Sequence, residues 1–200
     1  MNNVTVLITR NLNYYNPIFT LNDSNIKSIK FSNQLMDTSF NINPCVIEQY
    51  VEIVVKDVDG SIFDSLNSLQ PEVKDYIDVV VLINDHIYNT YLASTWECSL
   101  QSSTVTIHCN DRTKNLANYQ TELMDVSNMT LVQLFNKAFS FTPYECRWND
   151  ISLYNEMVFM KVDSTYIPYQ TVYDLLNKLC LVAFVRVRWS KGYFYIERCW

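Results

Sequence analysis

Residues 104–109, Thr-Val-Thr-Ile-His-Cys, alternate strictly between polar and apolar, and no other stretch narrows the choice of fold as much. A period of two places Thr104, Thr106 and His108 on one side of an extended chain and Val105, Ile107 and Cys109 on the other, the pattern of a strand with one wet and one buried face. The preceding run, Tyr91 to Leu100, is mixed, and Gln101-Ser-Ser between the two is polar. Together they predict strand, turn and strand within Thr90 to Gln120, with an abrupt exit into a loop or short helix after Asn110.

The rest of the composition suits such a strand. Of 200 residues, 48% are hydrophobic, enough for a buried core in one large domain or two small ones. Tyr (14) and Phe (10) far outnumber Gly (2), so aromatic cross-strand pairs can stabilise a sheet while glycine cannot make its turns. The 21 Asn residues can, because Asn tolerates left-handed backbone, although an A/T-rich coding sequence would give the same count.

Read in order, Asn3 to Ile8 is a first strand and Asn11 to Pro17 a loop. Ile26 to Phe31 follows, then a polar stretch, Gln34 to Asn43, anchored by Met36, Phe40 and Ile42. Cys45 to Asp57 is a long strand with Ile47, Gln49, Val51, Ile53 and Val55 on one face and Glu48, Tyr50, Glu52 and Val54 on the other. It stops at Asp57-Val-Asp-Gly, and Ile62 to Leu69 is a short helix or loop. Asp75 to Asn84 is an apolar strand ending in the hairpin signal Asn84-Asp85.

Beyond Asn110 the period lengthens. Leu131, Leu134, Phe135 and Ala138 mark an amphipathic helix with Ser127 or Asn128 as N-cap and Pro143 as terminator. Val172, Leu175, Leu176 and Leu179 mark a second, with Pro168 near its start. A hairpin closes the chain, Ala183 to Trp189 and Tyr193 to Cys199 around Ser190-Lys-Gly. The expected architecture is β-rich plus α+β: an antiparallel β-barrel or sandwich over 1–118, then a small α+β domain over 119–200. Residue 200 ends on a strand without a tail, which predicts either a longer natural chain or a partner that completes this edge.

The chemistry of the chain is sparse. A net charge of -6 and a pI near 4.8 oppose a nucleic-acid footprint. The one dense basic group is Arg186, Arg188, Lys191 and Arg198, and the shared strand face of Arg186 and Arg188 reads as solvated sheet or subunit contact. No basic segment precedes a long apolar run and no run reaches the length of a membrane helix, so a soluble, cytoplasmically made chain is expected. The six cysteines are widely spaced without a C-x-x-C, which favours free thiols over disulfides. Asn3, Asn22 and Asn128 head glycosylation-type triplets, as a chain this rich in Asn gives by chance.

Enzyme motifs fail on geometry. Asp57-Val-Asp59-Gly60 resembles part of a calcium loop, but alignment on Gly60 puts Val55 and Leu66 where the terminal acids belong. His108 and Cys109 are adjacent in a strand and point opposite ways, so a Cys-His pair would need a distant partner, for instance His86 with Cys98. There is no Gly-rich phosphate loop, zinc spacing or distinctive carboxylate pair. No enzyme activity, cofactor or metal is expected.

The order of elements resembles the N-terminal half of the phage tail hub family, the central baseplate hub of contractile-tailed phages and the related tail-associated proteins of long-tailed phages. The residues that carry the resemblance are Ile26-Lys-Ser-Ile-Lys-Phe-Ser-Asn-Gln-Leu, Glu48-Gln-Tyr-Val-Glu-Ile-Val-Val-Lys-Asp and Asn89-Thr-Tyr-Leu-Ala-Ser-Thr-Trp-Glu-Cys. Thr104-Val-Thr-Ile-His-Cys-Asn-Asp-Arg, which is similar to the family's T-I-x-A-x-D-R strand, Thr130-Leu-Val-Gln-Leu-Phe, Tyr169-Gln-Thr-Val-Tyr-Asp-Leu-Leu-Asn-Lys-Leu and the Lys191-Gly192 hairpin follow. Glycines usual in that family are replaced at Asn89 and Leu181. The resemblance implies a tail-tube-like barrel in a structural, homotrimeric ring at the tail tip of the virion. It would be assembled in the host cytoplasm, joined to the tail tube and a distal spike or fibre, with genomic DNA only in transit. Arg186, Arg188 and Arg198 are the candidate interface. Two other classes predict different surfaces: a host-surface carbohydrate- or protein-binding module would expose Trp96, Trp148, Trp189 or Tyr193 in one groove, and a hydrolase fragment would bring His86 and Cys98, or acids, together in a pocket.

Overall fold

The computed structural model describes residues 3–10, 13, 15–34, 46–69, 77–163 and 165–199. The expected Met36, Phe40 and Ile42 anchors, Cys45, Asp75 and Trp200 lie outside that set. The chain is β-rich with a few helices and divides into two units, Met1–Asn33 with Gln49–Asp111, and Gln34–Glu48 with Arg112–Trp200.

The first unit carries β1 (Val4–Arg10), β2 (Phe19–Leu21), β3 (Ile26–Gln34), β4 (Val46–Lys56, whose first three residues count with the second unit), α1 (Ser61–Ser68), β5 (Ile77–Ile83), β6 (His86–Ser99) and β7 (Thr104–Asn110). Its ladders run β2-β1-β5-β6-β7-β4, each antiparallel to the next, with β3 added to β4. The alternation of residues 104–109 sets the register: Val105, Ile107 and Cys109 lie opposite Val55, Ile53 and Val51, and all six are buried. A one-residue slip would turn this row to solvent, which is why the pairing is unambiguous. Asn84 and Asp85 adopt positive φ (52° and 63°), the two-residue hairpin turn that their side chains signal. The Phe19–Leu21 strand falls just beyond the expected Asn11 to Pro17 loop and carries too few residues for a period.

The turn after β2 explains how this sheet bends. Val4 N–H donates to Asp23 Oδ1 (3.2 Å) and Lys56 N–H donates to the Asn25 carbonyl (2.7 Å). One four-residue turn thus holds the start of β1 and the end of β4, strands separated in the ladder order by β5, β6 and β7. That requires a coiled sheet. No ladder among the described residues joins β2 to β3, so the observed sheet is open and a closed barrel is not part of it.

Asp57-Val-Asp-Gly proves to be a helix start. Asp57 accepts from the N–H groups of Ile62 (3.1 Å) and Phe63 (3.0 Å), Asp59 accepts from Ser61, and Gly60 takes the left-handed conformation (φ 75°) that lets the chain turn into α1. The carboxylates satisfy main-chain donors at the positive end of a helix.

The second unit contains a 3-10 helix (Arg112–Asn118), β8 (Met124–Asp125), α2 (Leu131–Phe139), β9 (Cys146–Trp148), α3 (Ile151–Phe159), β10 (Tyr166–Ile167), α4 (Val172–Ala183), β11 (Val185–Ser190) and β12 (Tyr193–Arg198). Val46 and Ile47 pair in parallel with Val187 and Arg188, β11 and β12 form the closing hairpin, and β12 pairs in parallel with β9. The sheet content is therefore mixed, not purely antiparallel. Leu134, Phe135 and Ala138 of α2, Leu175, Leu176 and Leu179 of α4, and Trp189 and Phe194 of the hairpin form one core.

Several boundaries differ from the sequence expectation for local reasons. The N-cap of α2 is Thr130, not Ser127 or Asn128, because Thr130 and Gln133 form a reciprocal capping box. The α4 cap is Thr171, bonded to Asp174 N–H, three residues after Pro168. α2 ends at Phe139, before Pro143, its last carbonyls taken by Ser140 and Thr142. Ala183 belongs to α4, and Phe184 in the left-handed region (φ 53°) separates it from β11.

Candidate assembly surface

The β11–β12 hairpin carries the three candidate arginines. It turns at Lys191-Gly192, both at positive φ, and this register puts Arg186 directly across from Glu197. Glu197 is almost buried and accepts from Arg186 Nε (2.9 Å) and Arg188 Nε (3.1 Å). Arg198 turns to α3, donating to Glu156 (2.6 Å) with Asp150 at 3.5 Å. The Arg198 guanidinium holds the Glu156 carboxyl below its ordinary pKa, and Glu156 raises that of Arg198 in return.

So the structure does not bring Arg186, Arg188 and Arg198 into one cationic patch. Three arginines meet three carboxylates, and the group is locally neutral. Each arginine keeps about a third of its side chain exposed (35%, 31% and 32%). Of the carboxylate partners, only Glu197 has a signal in the sequence: reflection of Arg186 through the Lys191-Gly192 turn lands on it.

The Asn110-Asp111-Arg112 end of the alternating strand has two separate duties. Asp111 is buried and accepts from Gln49 N–H (3.0 Å) while its own N–H donates to the Gln49 carbonyl (2.9 Å), which closes the β4–β7 ladder. Arg112, the first residue of the second unit, lies over the Tyr144 and Trp189 rings (5.8 and 5.7 Å). A guanidinium on two aromatic faces is a cation–π contact, and Lys would not stack as well.

The remaining candidates are dispersed. His86 opens β6 and Cys98 nearly ends it, twelve residues on, or about 40 Å of extended strand. Cys109 is buried, which pushes its thiol pKa up, and the described cysteines are free. Among the described residues no group of three His, Cys, Asp or Glu is placed to hold a metal. Trp189 is buried under Tyr144 and Phe194, Trp148 sits edge-on to Phe135 and Tyr154, and Trp96 donates to Asn67 on α1. Within the second unit, Trp189 is buried and Trp148 half-buried against the core, so neither is an exposed stacking platform. No helix among the described residues is long and apolar enough to cross a membrane.

The fold of this chain is similar to those of three tail proteins with solved structures. The chain aligns over 99% of its length with the 43 kDa tail protein of prophage MuSo2 from Shewanella oneidensis (TM-score 0.57, 16% identity, 56% of that chain). It aligns over 98% with the tail protein from Neisseria meningitidis MC58 (TM-score 0.58, 13% identity, 50% of that chain). The prophage tail protein gp18 from Listeria monocytogenes EGD-e is similar over the same share (TM-score 0.59, 10% identity, 50% of that chain). The chain thus spans about half the length of these tail proteins. No protein-family model and no curated protein matches the sequence.

Proposed function

We propose that this chain is a structural, non-enzymatic subunit of a phage tail tip or baseplate, a hub ring that joins the tail tube to a distal spike or fibre. The observation that carries this reading is the shared fold with three tail proteins over nearly the whole chain. In this reading residues 1–118 supply a tail-tube-like barrel and 119–200 the α+β domain. The single turn that holds both β1 and β4 favours barrel closure, since it already draws distant parts of the sheet together. Among the described residues no strand pairs on the outer side of β2 or β3; these edges would meet each other in a closed barrel or meet neighbouring copies in an open one, and three copies form the ring. The exposed thirds of Arg186, Arg188 and Arg198 contribute to the contact between copies.

Light scattering with multi-angle detection at several concentrations tests the ring. A trimer, or a shift toward one with concentration, is expected; a strict monomer at every concentration refutes it. The ring also surrounds the DNA path, where acids would keep DNA from adhering. Replacing the acids that face the lumen by their amides should leave assembly intact and slow DNA ejection. Unchanged ejection kinetics would count against that role.

A further inference from the structure

Strand β9 ends the ladder order of the second unit. Phe194 N–H donates to the Glu145 carbonyl and Asn149 N–H to the Ile196 carbonyl, both at 3.0 Å, with Arg147 opposite Tyr195. In a parallel ladder alternate residues turn their main-chain groups to opposite sides. Those of Arg147 therefore face β12, and the N–H and C=O groups of Cys146 and Trp148 face away. No strand among the described residues pairs on that side.

An open groove of about 530 Å³ lies alongside, lined in part by Asn136, Phe139, Pro143, Tyr144, Glu145 and Cys146. Phe139 and Tyr144 are held in place by Phe194 (ring centroids 5.3 and 5.5 Å). The groove also meets the C-terminal turn of α2, the negative end of its dipole, and Glu145 adds an exposed carboxylate. Of the nearby cations among the described residues, Lys137 lies over Phe141 and Arg147 over Tyr193, while the buried Arg112 stacks on the Tyr144 ring and leaves the Glu145 side of the groove without a cation of its own. Aromatic walls with a negative end fit a side chain with a long apolar stem and a cationic tip.

We propose that the β9 edge binds an extended segment of a separate partner polypeptide as an added strand, with a lysine or arginine of that segment in the groove between β9 and α2. Main-chain pairing supplies the affinity and the groove the selectivity. A second copy of the chain, which carries Lys27 and Lys30 on the edge strand β3, is the competing occupant that the test separates. This assignment does not depend on the ring.

The test titrates blocked nine-residue peptides of alternating Thr and Val, with Lys, norleucine or Glu at the centre, into the 15N-labelled full chain. N-methyl groups on the outer edge of each peptide prevent self-pairing. The Lys peptide should shift the Cys146 and Trp148 amides saturably and bind at least about tenfold tighter than the Glu peptide, roughly the effect of one favourable charged contact. Glu145→Lys should reverse that preference. Cys146→Pro should abolish binding, since it removes an outward N–H without breaking the β12 ladder. If that variant does not fold, N-methylation of the peptide's inner edge imposes the same block from the ligand side. Absence of shifts at Cys146 and Trp148, or equal affinity for the Lys and Glu peptides, overturns the proposal. So does a doubling of the chain's own mass accompanied by the same shifts, which would give the edge to a second copy.

Discussion

Glu197→Gln is the most informative single change, because one nearly buried carboxylate anchors both Arg186 and Arg188. Two contacts, at 2.9 and 3.1 Å, have good hydrogen-bond lengths, and the third, Arg188 Nη2 to Oε2 at 3.5 Å, is marginal. Charge-assisted bonds contribute about 1.5–3 kcal/mol each. Solvent reaches about a third of each arginine, which screens the pairs, and Gln retains one carbonyl acceptor. The expected loss is therefore about 1–3 kcal/mol, read as a lower urea midpoint with an unchanged slope. A cycle with Arg186→Met and Arg188→Met should give a coupling of about 1 kcal/mol between Glu197 and each arginine. A loss under about 0.3 kcal/mol with no coupling would refute the view that the hairpin is held by this internal network. The arginines would then be free to serve a contact between copies alone.

Asp57→Ala should lower stability by about 1–2 kcal/mol in urea melts through loss of the α1 cap, with Asp57→Asn recovering part of it. Phe184→Asn should raise stability by about 1 kcal/mol, or 2–4 °C in Tm, since an exposed Phe occupies a left-handed position that Asn adopts more readily. The carboxyls of Asp59 and Asp125 are held below their ordinary range by Ser61 and Ser127, that of Glu52 by Lys30 and that of Glu156 by Arg198. A depressed folded pKa stabilises above the unfolded value and ceases to do so as pH falls through the folded one, so Tm should be flat near pH 6–7 and fall below about pH 4. A Tm that rises on acidification would reverse that sign.

The long β4 strand, the β5–β6 turn, the alternating β7 strand and the faces of α2 and α4 were legible because each repeats a period several times. β2 and β9 have three residues each, too few to show one. α3 has Leu153 and Met157 buried while Ile151 and Phe159 are exposed, so its apolar residues are not confined to one face. The parallel pairing of Val46 and Ile47 with the closing hairpin joins residues about 140 apart in the chain, a distance that no local pattern encodes. The arginines of the candidate surface are visible in the sequence, but neutralisation of Arg198 depends on the α3 cap Asp150 and on Glu156 of α3, which only the tertiary fold brings to it.

The net charge of the chain is likewise a property of one unit. The first holds five Lys and Arg against eleven Asp and Glu, and the second ten against ten. The basic residues noticed in the sequence therefore lie in the unit where acids cancel them, and the whole excess of -6 lies in the unit built on the alternating strand. Any salt-sensitive attraction or repulsion at long range must then arise from the first unit, because opposed charges within a Debye length cancel beyond it. Selectivity in the second unit depends instead on short-range geometry, at Glu197 inside the hairpin and at Glu145 beside the β9 edge. Raising the salt concentration should accordingly weaken the repulsion between copies and, because Glu145 is exposed, also reduce the preference of the β9 groove for Lys over Glu, while the main-chain pairing at the β9 edge persists.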